Sequence, residues 1–297
     1  MKLVSIVVCT YNGSKYIETQ IQSLLEQTYS NIEIIIADDS STDNTVSIVT
    51  NLAKNHNNLS VHSFKENLGY IKNFERGILL ANGDYIALCD QDDWWHPTKI
   101  EKLVANISDY DIIYCNSEFT NALLEPNGNS FSKSKNMITS KNPLNFVIEN
   151  CVSGHASIIK KELIEKSLPF PDQVPHDWWL TFIATLNNGV TYYDEALVKY
   201  RFHDNNVIVS KKNKVDKKAK KIERRHRVKT FYEVIPENNK NKKILKTINN
   251  SFKSFSIINN IKRAYIFLKH REDLLAILKK SDFKKRVFAY TMFFKLK

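Results

Sequence analysis

A chain of 297 residues, 42% hydrophobic and 25% charged, can bury a full core and still carry an appendage, which excludes a disordered or fibrous protein. Its net charge of +11 is unevenly spread: residues 210–297 hold 27 Lys and Arg against 7 Asp and Glu, leaving 16 against 25 in residues 1–209, so an acidic body of −9 carries a basic tail of +20. Four separated cysteines (Cys9, Cys89, Cys115, Cys151) form no C-x-x-C pair and exclude a disulfide framework or structural zinc site, and no run of 18 apolar residues is present to span a bilayer.

From the N-terminus, Met1-Lys2-Leu3 leads straight into an apolar run with no room for a signal peptide, so the expected compartment is cytoplasmic and reducing. Val4–Thr10 reads as a buried strand, followed by a helix with Ile17, Ile21, Leu24 and Leu25 on one face and Ser14 as N-cap. Ile32–Asp38 is the second strand, with Thr42 or Asp43 capping a helix to about Lys54. A strand near Leu59–Phe64, a helix around Ile71–Leu80 and the strand Asp84–Cys89 follow. Strand and helix alternating at this spacing predict βαβ units around a mostly parallel sheet covered on both faces. Residues 111–209 read as mixed: strands at Asp111–Cys115, Ala156–Ile159, Thr191–Tyr193 and Leu197–Phe202, helices at Asn142–Glu149 and Asp177–Leu186. Beyond a Lys/Arg-dense stretch at 211–229, read as helix or solvated linker, Ile261, Ala264, Tyr265, Leu268, Leu274, Leu275 and Leu278 keep helical spacing.

In such sheets ligands bind beyond the carboxyl ends of the strands. The first strand ends in Thr10-Tyr11-Asn12-Gly13, the second in Asp38-Asp39-Ser40-Ser41 and the fourth in Asp90-Gln91-Asp92-Asp93, so three polar clusters converge on one edge. Three carboxylates within four residues raise one another's pKa unless a positive charge sits among them, and oxygen ligands of this kind suit Mg²⁺ or Mn²⁺ carrying a substrate's phosphates. The bland alternative is a solvated acidic turn capping the helix that starts near Pro97.

The phrases Val4-Ser5-Ile6-Val7-Val8-Cys9-Thr10-Tyr11-Asn12-Gly13, Ile36-Ala37-Asp38-Asp39-Ser40-Ser41-Thr42-Asp43-Asn44-Thr45, Glu66-Asn67-Leu68-Gly69, Gly83-Asp84-Tyr85-Ile86 and Cys89-Asp90-Gln91-Asp92-Asp93 occur in order over the first 95 residues. Together they resemble the family 2 glycosyltransferases, inverting enzymes built on the α/β GT-A fold, and the likeness continues more loosely to about residue 205. It implies a catalytic domain at 1–209, with a nucleotide-sugar half (1–110) and an acceptor half (111–209), and a basic helical extension at 210–297. It implies that Thr10, Tyr11, Asn12, Asp38, Asp39, Lys72, Asp90 and Gln91 bind a UDP- or dTDP-sugar, and that Asp92, with His203, holds Mn²⁺ or Mg²⁺ on the diphosphate. Asp93 orients its neighbours or caps the next helix, Trp94 and Trp95 divide between sugar and core, and His203 has a structural alternative. Asp177, in Pro175-His176-Asp177-Trp178-Trp179, is the implied base, and Gly154, His155, His176 and Trp178 line the acceptor side. The family usually shows an acidic pair where this chain has His176-Asp177, a variant associated with rhamnosyltransferase-like members.

The expected partners are a nucleoside-diphosphate sugar and a lipid-linked bacterial glycan acceptor, a polyprenyl carrier being one form of it; an oligomer stays open. A nucleic-acid-binding protein is the rival suggested by the tail, against which stand the acidic body and the absence of any nucleic-acid-binding motif. A transferase that binds donor without turnover is opposed by the complete set Asp38, Asp92 and Asp177. Basic residues beside amphipathic segments point instead to anionic lipid, placing the protein at the inner face of the membrane; the alternative is a tail whose helices pack on the body or on a second subunit.

Overall fold

The computed structural model describes residues 1–203, 217–254 and 256–294. Among them, strands Val4–Thr10 (β1), Ile32–Asp38 (β2), Leu59–Ser63 (β3), Tyr85–Cys89 (β4), Trp94–Trp95 (β5), Ile112–Thr120 (β6), Pro126–Ser130 (β7), Ser157–Lys160 (β8) and Val190–Arg201 (β9) form one sheet in the order β3-β2-β1-β4-β8-β6-β9-β5, with β7 on β6. β3, β2, β1 and β4 run parallel. β8 lies antiparallel between β4 and β6, and β6 pairs parallel with β9, so β9 ends at the same sheet edge as β4.

Helices Ile17–Leu25 (α1), Thr45–Ala53 (α2), Tyr70–Ile78 (α3) and Lys99–Asn106 (α4) connect the first half; Phe131–Ser134 (α5), Lys161–Ser167 (α6) and His176–Thr185 (α7) belong to the second. The strands are apolar on both faces because helices cover both: Val7, Ile35 and Leu88 enter one core, while Val4, Ile6, Val8, Ile34 and Ile36 enter the other.

Several sequence expectations change in the folded chain. Ser14 does not cap α1, whose N-cap is Tyr16; the Ser14 amide instead donates to Asp43. Asp43 serves α2 by accepting the Thr45 amide at 2.9 Å. The helix expected over Asn142–Glu149 is only a 3₁₀ turn, Pro143–Phe146, and the two late strands are one continuous β9. β5 and β7 were not predicted, being too short or too polar to show a period. Of the Lys/Arg-dense stretch, residues 211–216 lie outside the described residues, and the rest is helical.

The C-terminal helices Lys217–Val234 (α8), Lys242–Ser251 (α9), Ile257–Lys269 (α10), Arg271–Leu274 (α11) and Asp282–Thr291 (α12) pack on the body. Val228, Phe231, Ile235, Leu245, Ile248 and Phe267 enter the same core as Phe74 and Leu180, and the Phe231 ring stacks on Phe182 with centroids 3.9 Å apart. Arg263 is fully buried, donating to Met292 O (2.8 Å), Ser251 O (2.5 Å) and Asn260 Oδ1 (2.5 Å), so one of the tail's cations is a staple between α9, α10 and α12.

Because all four tryptophans lie in the body, a shared core has a clear signature. Phe231→Ala is expected to cost about 3–5 kcal/mol, with tryptophan fluorescence and helical circular dichroism moving together in one urea transition. Two transitions, with the tryptophan midpoint unmoved, would contradict it.

Candidate active site

Three strand ends are laced together by side chains. Gln91, just past β4, reads both backbone groups of Tyr11 just past β1: its Oε1 accepts the Tyr11 amide at 2.9 Å and its Nε2 donates to the Tyr11 carbonyl at 3.1 Å. Gly13 lies against this pair: a Cβ there would lie 2.1 Å from Gln91 Oε1 and would displace that side chain from Tyr11. Asn12, at φ +48°, donates its amide to Ser41 Oγ and accepts the Thr42 amide at 2.8 Å, joining the β1 and β2 exits. Tyr11 remains 48% exposed on the rim.

Asp38 is fully buried and accepts from Thr10 Oγ1 (2.7 Å), Ser41 N (2.9 Å), Ser41 Oγ (2.5 Å) and Ser63 Oγ (3.5 Å). A base-binding role would require one of these bonds to yield, and that to Ser63 is the longest. Asp39 spends both oxygens inside the protein, accepting Leu68 N, Gly69 N and Arg76 Nη2 at 2.8, 2.9 and 2.6 Å; it fixes the Asn67-Leu68-Gly69 turn from below. Lys72 turns toward Glu75, Asp172 and the Phe170 carbonyl, tying α3 to the 170–172 loop.

The carboxylate cluster separates into two groups. β5 pairs antiparallel with β9, which draws Arg201 and His203 across Asp92 and Asp93. Arg201 donates Nε to Asp92 O at 2.7 Å and its amide to Asp93 Oδ1 at 3.0 Å, and His203 Nε2 lies 2.9 Å from Asp92 Oδ2. Tyr16 supports this corner, its ring 4.7 Å from that of His203 and 4.5 Å from the Arg201 guanidinium carbon.

Behind it, Asp90, Asp93 and His155 face one another. His155 Nδ1 is 3.5 Å from Asp90 Oδ2 and 3.9 Å from Asp93 Oδ2, and its Nε2 meets Ser117 Oγ at 3.0 Å. Asp93 Oδ2 has no hydrogen-bond partner despite full burial. Burial pushes Asp93 up to about 8, His155 opposing and the charges of Asp92 and Asp90 adding to the rise. Burial alone would lower His155; Asp93 and Asp90 outweigh it and raise it. Asp90, Asp93 with its orphaned oxygen, and His155, beside the Asp92–His203 pair, are a donor set that fits Mn²⁺ or Mg²⁺. His155, expected on the acceptor side, is therefore held among the carboxylates, its ring stacked on Tyr200 at 5.0 Å.

Asp177 opens α7, half-buried, with the Trp178 amide 2.6 Å from its Oδ1. Gly154 packs against it: a Cβ there would lie 3.0 Å from His176 Nε2 and 3.7 Å from Asp177 Cβ. His176 is itself buried among Phe74 (4.2 Å), Tyr70 (5.9 Å) and Phe170 (6.5 Å), and burial lowers its pKa, so a neutral ring forms the wall behind Gly154. Trp95 is fully buried and Trp94 half-buried, against Lys199.

Sequence reasoning missed Arg76, Lys99 and Arg201. Lys99 is wholly buried, 2.9 Å from the Trp95 ring centroid and 2.6 Å from the His155 carbonyl, and burial pushes it down to about 7. Nothing in sequence separates it from a surface lysine; only Arg201 carried a signal, lying two residues before His203.

The profile of the family described as Glycosyl transferase family 2 matches residues 5–168. A glycosyltransferase of Haemophilus influenzae, described as uncharacterised, is 32% identical over 237 residues, covering 75% of this chain and 72% of that protein. The dTDP-rhamnosyl transferase RfbG of Shigella flexneri is 32% identical over 221 residues, covering 68% and 73%. Among solved structures, S. aureus TarS 1–349 in complex with UDP-GlcNAc superposes with a TM-score of 0.66 at 20% identity, covering 99% of this chain and 88% of that one. The mannosyltransferase PcManGT of Pyrobaculum calidifontis, in complex with GDP-Man and Mn²⁺, gives 0.57 at 17% identity, covering 99% and 85%. The sheet is thus the GT-A arrangement.

With divalent ions chelated, the raised Asp93 fixes a sign. The folded protein holds a proton up to about pH 8 that the unfolded carboxyl releases near 3.8, so unfolding free energy falls as pH rises between those values, by no more than about 1.4 kcal/mol per pH unit. Urea unfolding at pH 5, 6, 7 and 8 is expected to show that decline, and Asp93→Asn to remove most of it; a wild-type profile as flat as the variant's would contradict the assignment.

Proposed function

The chain belongs to glycosyl transferase family 2, and from that premise we propose that it is an inverting transferase moving one sugar from a UDP- or dTDP-linked donor to a hydroxyl of a lipid-linked bacterial surface glycan. The observation that carries this reading is the 2.9 Å pairing of Asp92 with His203 at the sheet edge where β1, β2 and β4 also end. Likeness to a dTDP-rhamnosyl transferase, with His176-Asp177 where an acidic pair is usual, favours a dTDP-linked donor over a UDP-hexose.

In this reading Asp92 and His203 would hold Mn²⁺ or Mg²⁺, with Asp90, Asp93 and His155 packed behind them; the ion, when bound, would supply Lewis-acid neutralisation of the departing diphosphate. Tyr11 offers its exposed ring to the base, and Thr10, Asp38, Asp39, Asn12 and Gln91 hold the surrounding loops in register. Asp177 takes the proton from the acceptor hydroxyl as that oxygen attacks the anomeric carbon opposite the diphosphate. The Trp178 amide fixes one oxygen, leaving the other for the proton. Gly154 keeps the acceptor wall low enough for a sugar to approach, and Trp178 supplies an aromatic edge.

We assign transfer to residues 1–209 and membrane docking to 210–297, although the two parts share a core. α10 exposes Ile257, Ile258, Ile261 and Tyr265, and α12 together with the turn after it exposes Phe283, Val287, Tyr290 and Phe294, each at least 45% open to solvent. Exposed Lys262, Lys269, Lys284 and Arg286 are interleaved with them. Apolar side chains at helical spacing among cations fit the headgroup region of an anionic bilayer. No helix among the described residues is long and apolar enough to cross one.

Asp177→Asn is expected to lower kcat by about 10²–10⁴-fold while leaving UDP or dTDP affinity unchanged, and NMR of the product to show an inverted anomeric centre. Retention, or a variant of near wild-type kcat, would remove the base assignment. The full-length protein is expected to float with anionic liposomes and not with phosphatidylcholine alone, and Ile258→Asp with Ile261→Asp to abolish flotation without changing the melting temperature. Unchanged flotation of that variant would rule out this face.

A further inference from the structure

Arg227 is a buried cation that makes no ion pair among the described residues, Glu149 and Glu223 acting on it only at longer range. The residue is 8% exposed, its guanidinium carbon lies 3.5 Å above the Trp178 ring, and its buried Nε has no hydrogen-bond partner. Among the described residues no carboxylate oxygen lies within 4.0 Å of Arg227 or of Arg224 one turn earlier on α8, and Glu149, which acts on both electrostatically, is engaged by Lys135 at 2.9 Å. A guanidinium withdrawn from water without an anion is expensive, and a second guanidinium nearby adds to the cost. Burial first, then Arg224, pushes Arg227 down to about 9.

The position of this pair gives it meaning. Trp178 follows Asp177 directly, and its indole is pinned by a 2.6 Å bond from Nε1 to the Phe146 carbonyl, so Arg227 rests on a fixed platform beside the proposed base. Tyr70, its ring 5.9 Å from that of His176, is raised to about 12 by burial first, with Asp177 and Glu223 of α8 adding to the rise. The Arg227–Trp178 contact thus brings α8 against the start of α7, next to Asp177.

We propose that Arg227, assisted by Arg224, forms a subsite for a phosphate group on the acceptor, so that the sugar is added to a hydroxyl near a phosphate. Planar guanidinium matches phosphate in a two-bond fork, and an indole beneath it holds the fork in plane. The inference rests on Asp177 marking the acceptor side. Two sources offer this chemistry: a phosphodiester within the glycan, or the diphosphate of a lipid carrier.

The test is tryptophan fluorescence of the full-length protein in Mg²⁺ and saturating UDP, titrated with glycerol phosphate, farnesyl diphosphate and, as the carboxylate control, glucuronate. Saturable quenching by glycerol phosphate or farnesyl diphosphate, with affinity falling tenfold or more in Arg227→Gln and by a smaller factor in Arg227→Lys, is expected, and the tighter of the two identifies the source. Melting temperatures of both variants report on folding, so Arg227→Lys keeps the test open if the glutamine variant unfolds. No saturable quenching by either phosphate, equal affinity in Arg227→Gln, or glucuronate binding as tightly as the phosphates would overturn the proposal. The UDP titration that precedes these measurements reads the donor site separately: protein that binds UDP but neither phosphate loses only this subsite, whereas protein that binds no UDP challenges the donor reading whatever Arg227 does.

Discussion

Crowded negative charge at the carboxyl ends of parallel strands is the constraint around which this molecule is arranged. Asp90, Asp92 and Asp93 arrive together because β4 ends at Cys89 and β5 turns the chain back along β9. The surroundings respond in kind: His203 meets Asp92, Arg201 reaches the Asp92 carbonyl, His155 sits between Asp90 and Asp93, and Lys99 is buried one layer below. Even so, Asp93 keeps an unpartnered oxygen, and burial raises it to about 8, so a proton balances the site there up to that pH. In the proposed reading the same cluster would hold a divalent ion, which would supply Lewis-acid neutralisation of a departing diphosphate.

How much of this could be read from the chain depended on how local each cause was. β1, β2 and β4 were visible because apolar runs of that length are buried on both faces, and their polar exits named one edge of the sheet before any coordinates. Asp177 was visible as an acidic residue opening a helix. What stayed hidden was set by contacts distant in sequence. His155 reads as part of an acceptor loop until β8 is inserted between β4 and β6, which swings it onto Asp90 and Asp93. Asp39 reads as a ligand group until Arg76 and the Leu68 and Gly69 amides are seen to saturate it. The Asn142–Glu149 segment starts as a helix would, with Asn142 accepting the Leu144 amide and proline next, yet it stops after one 3₁₀ turn, where Asn145 is drawn to the Asp273 carbonyl of the tail.

The tail shows how composition can mislead. A surplus of twenty positive charges suggests a detached polycation, yet Phe231, Ile248 and Phe267 enter the body's core and Arg263 is spent on backbone carbonyls. The remaining cations divide by location: those on α10 and α12 lie among exposed apolar side chains, whereas Arg227 is buried against the Trp178 ring, a division that charge counting alone could not draw.

Pulsed EPR of Mn²⁺ bound together with UDP tests the central claim most directly, because it reports which nuclei surround the metal. The account predicts coupling to phosphorus of the diphosphate and to one imidazole nitrogen that disappears in His203→Ala, with no bound Mn²⁺ signal in Asp92→Ala. Bound Mn²⁺ coupled to neither nucleus, or UDP binding unchanged when every divalent ion is removed, would contradict it.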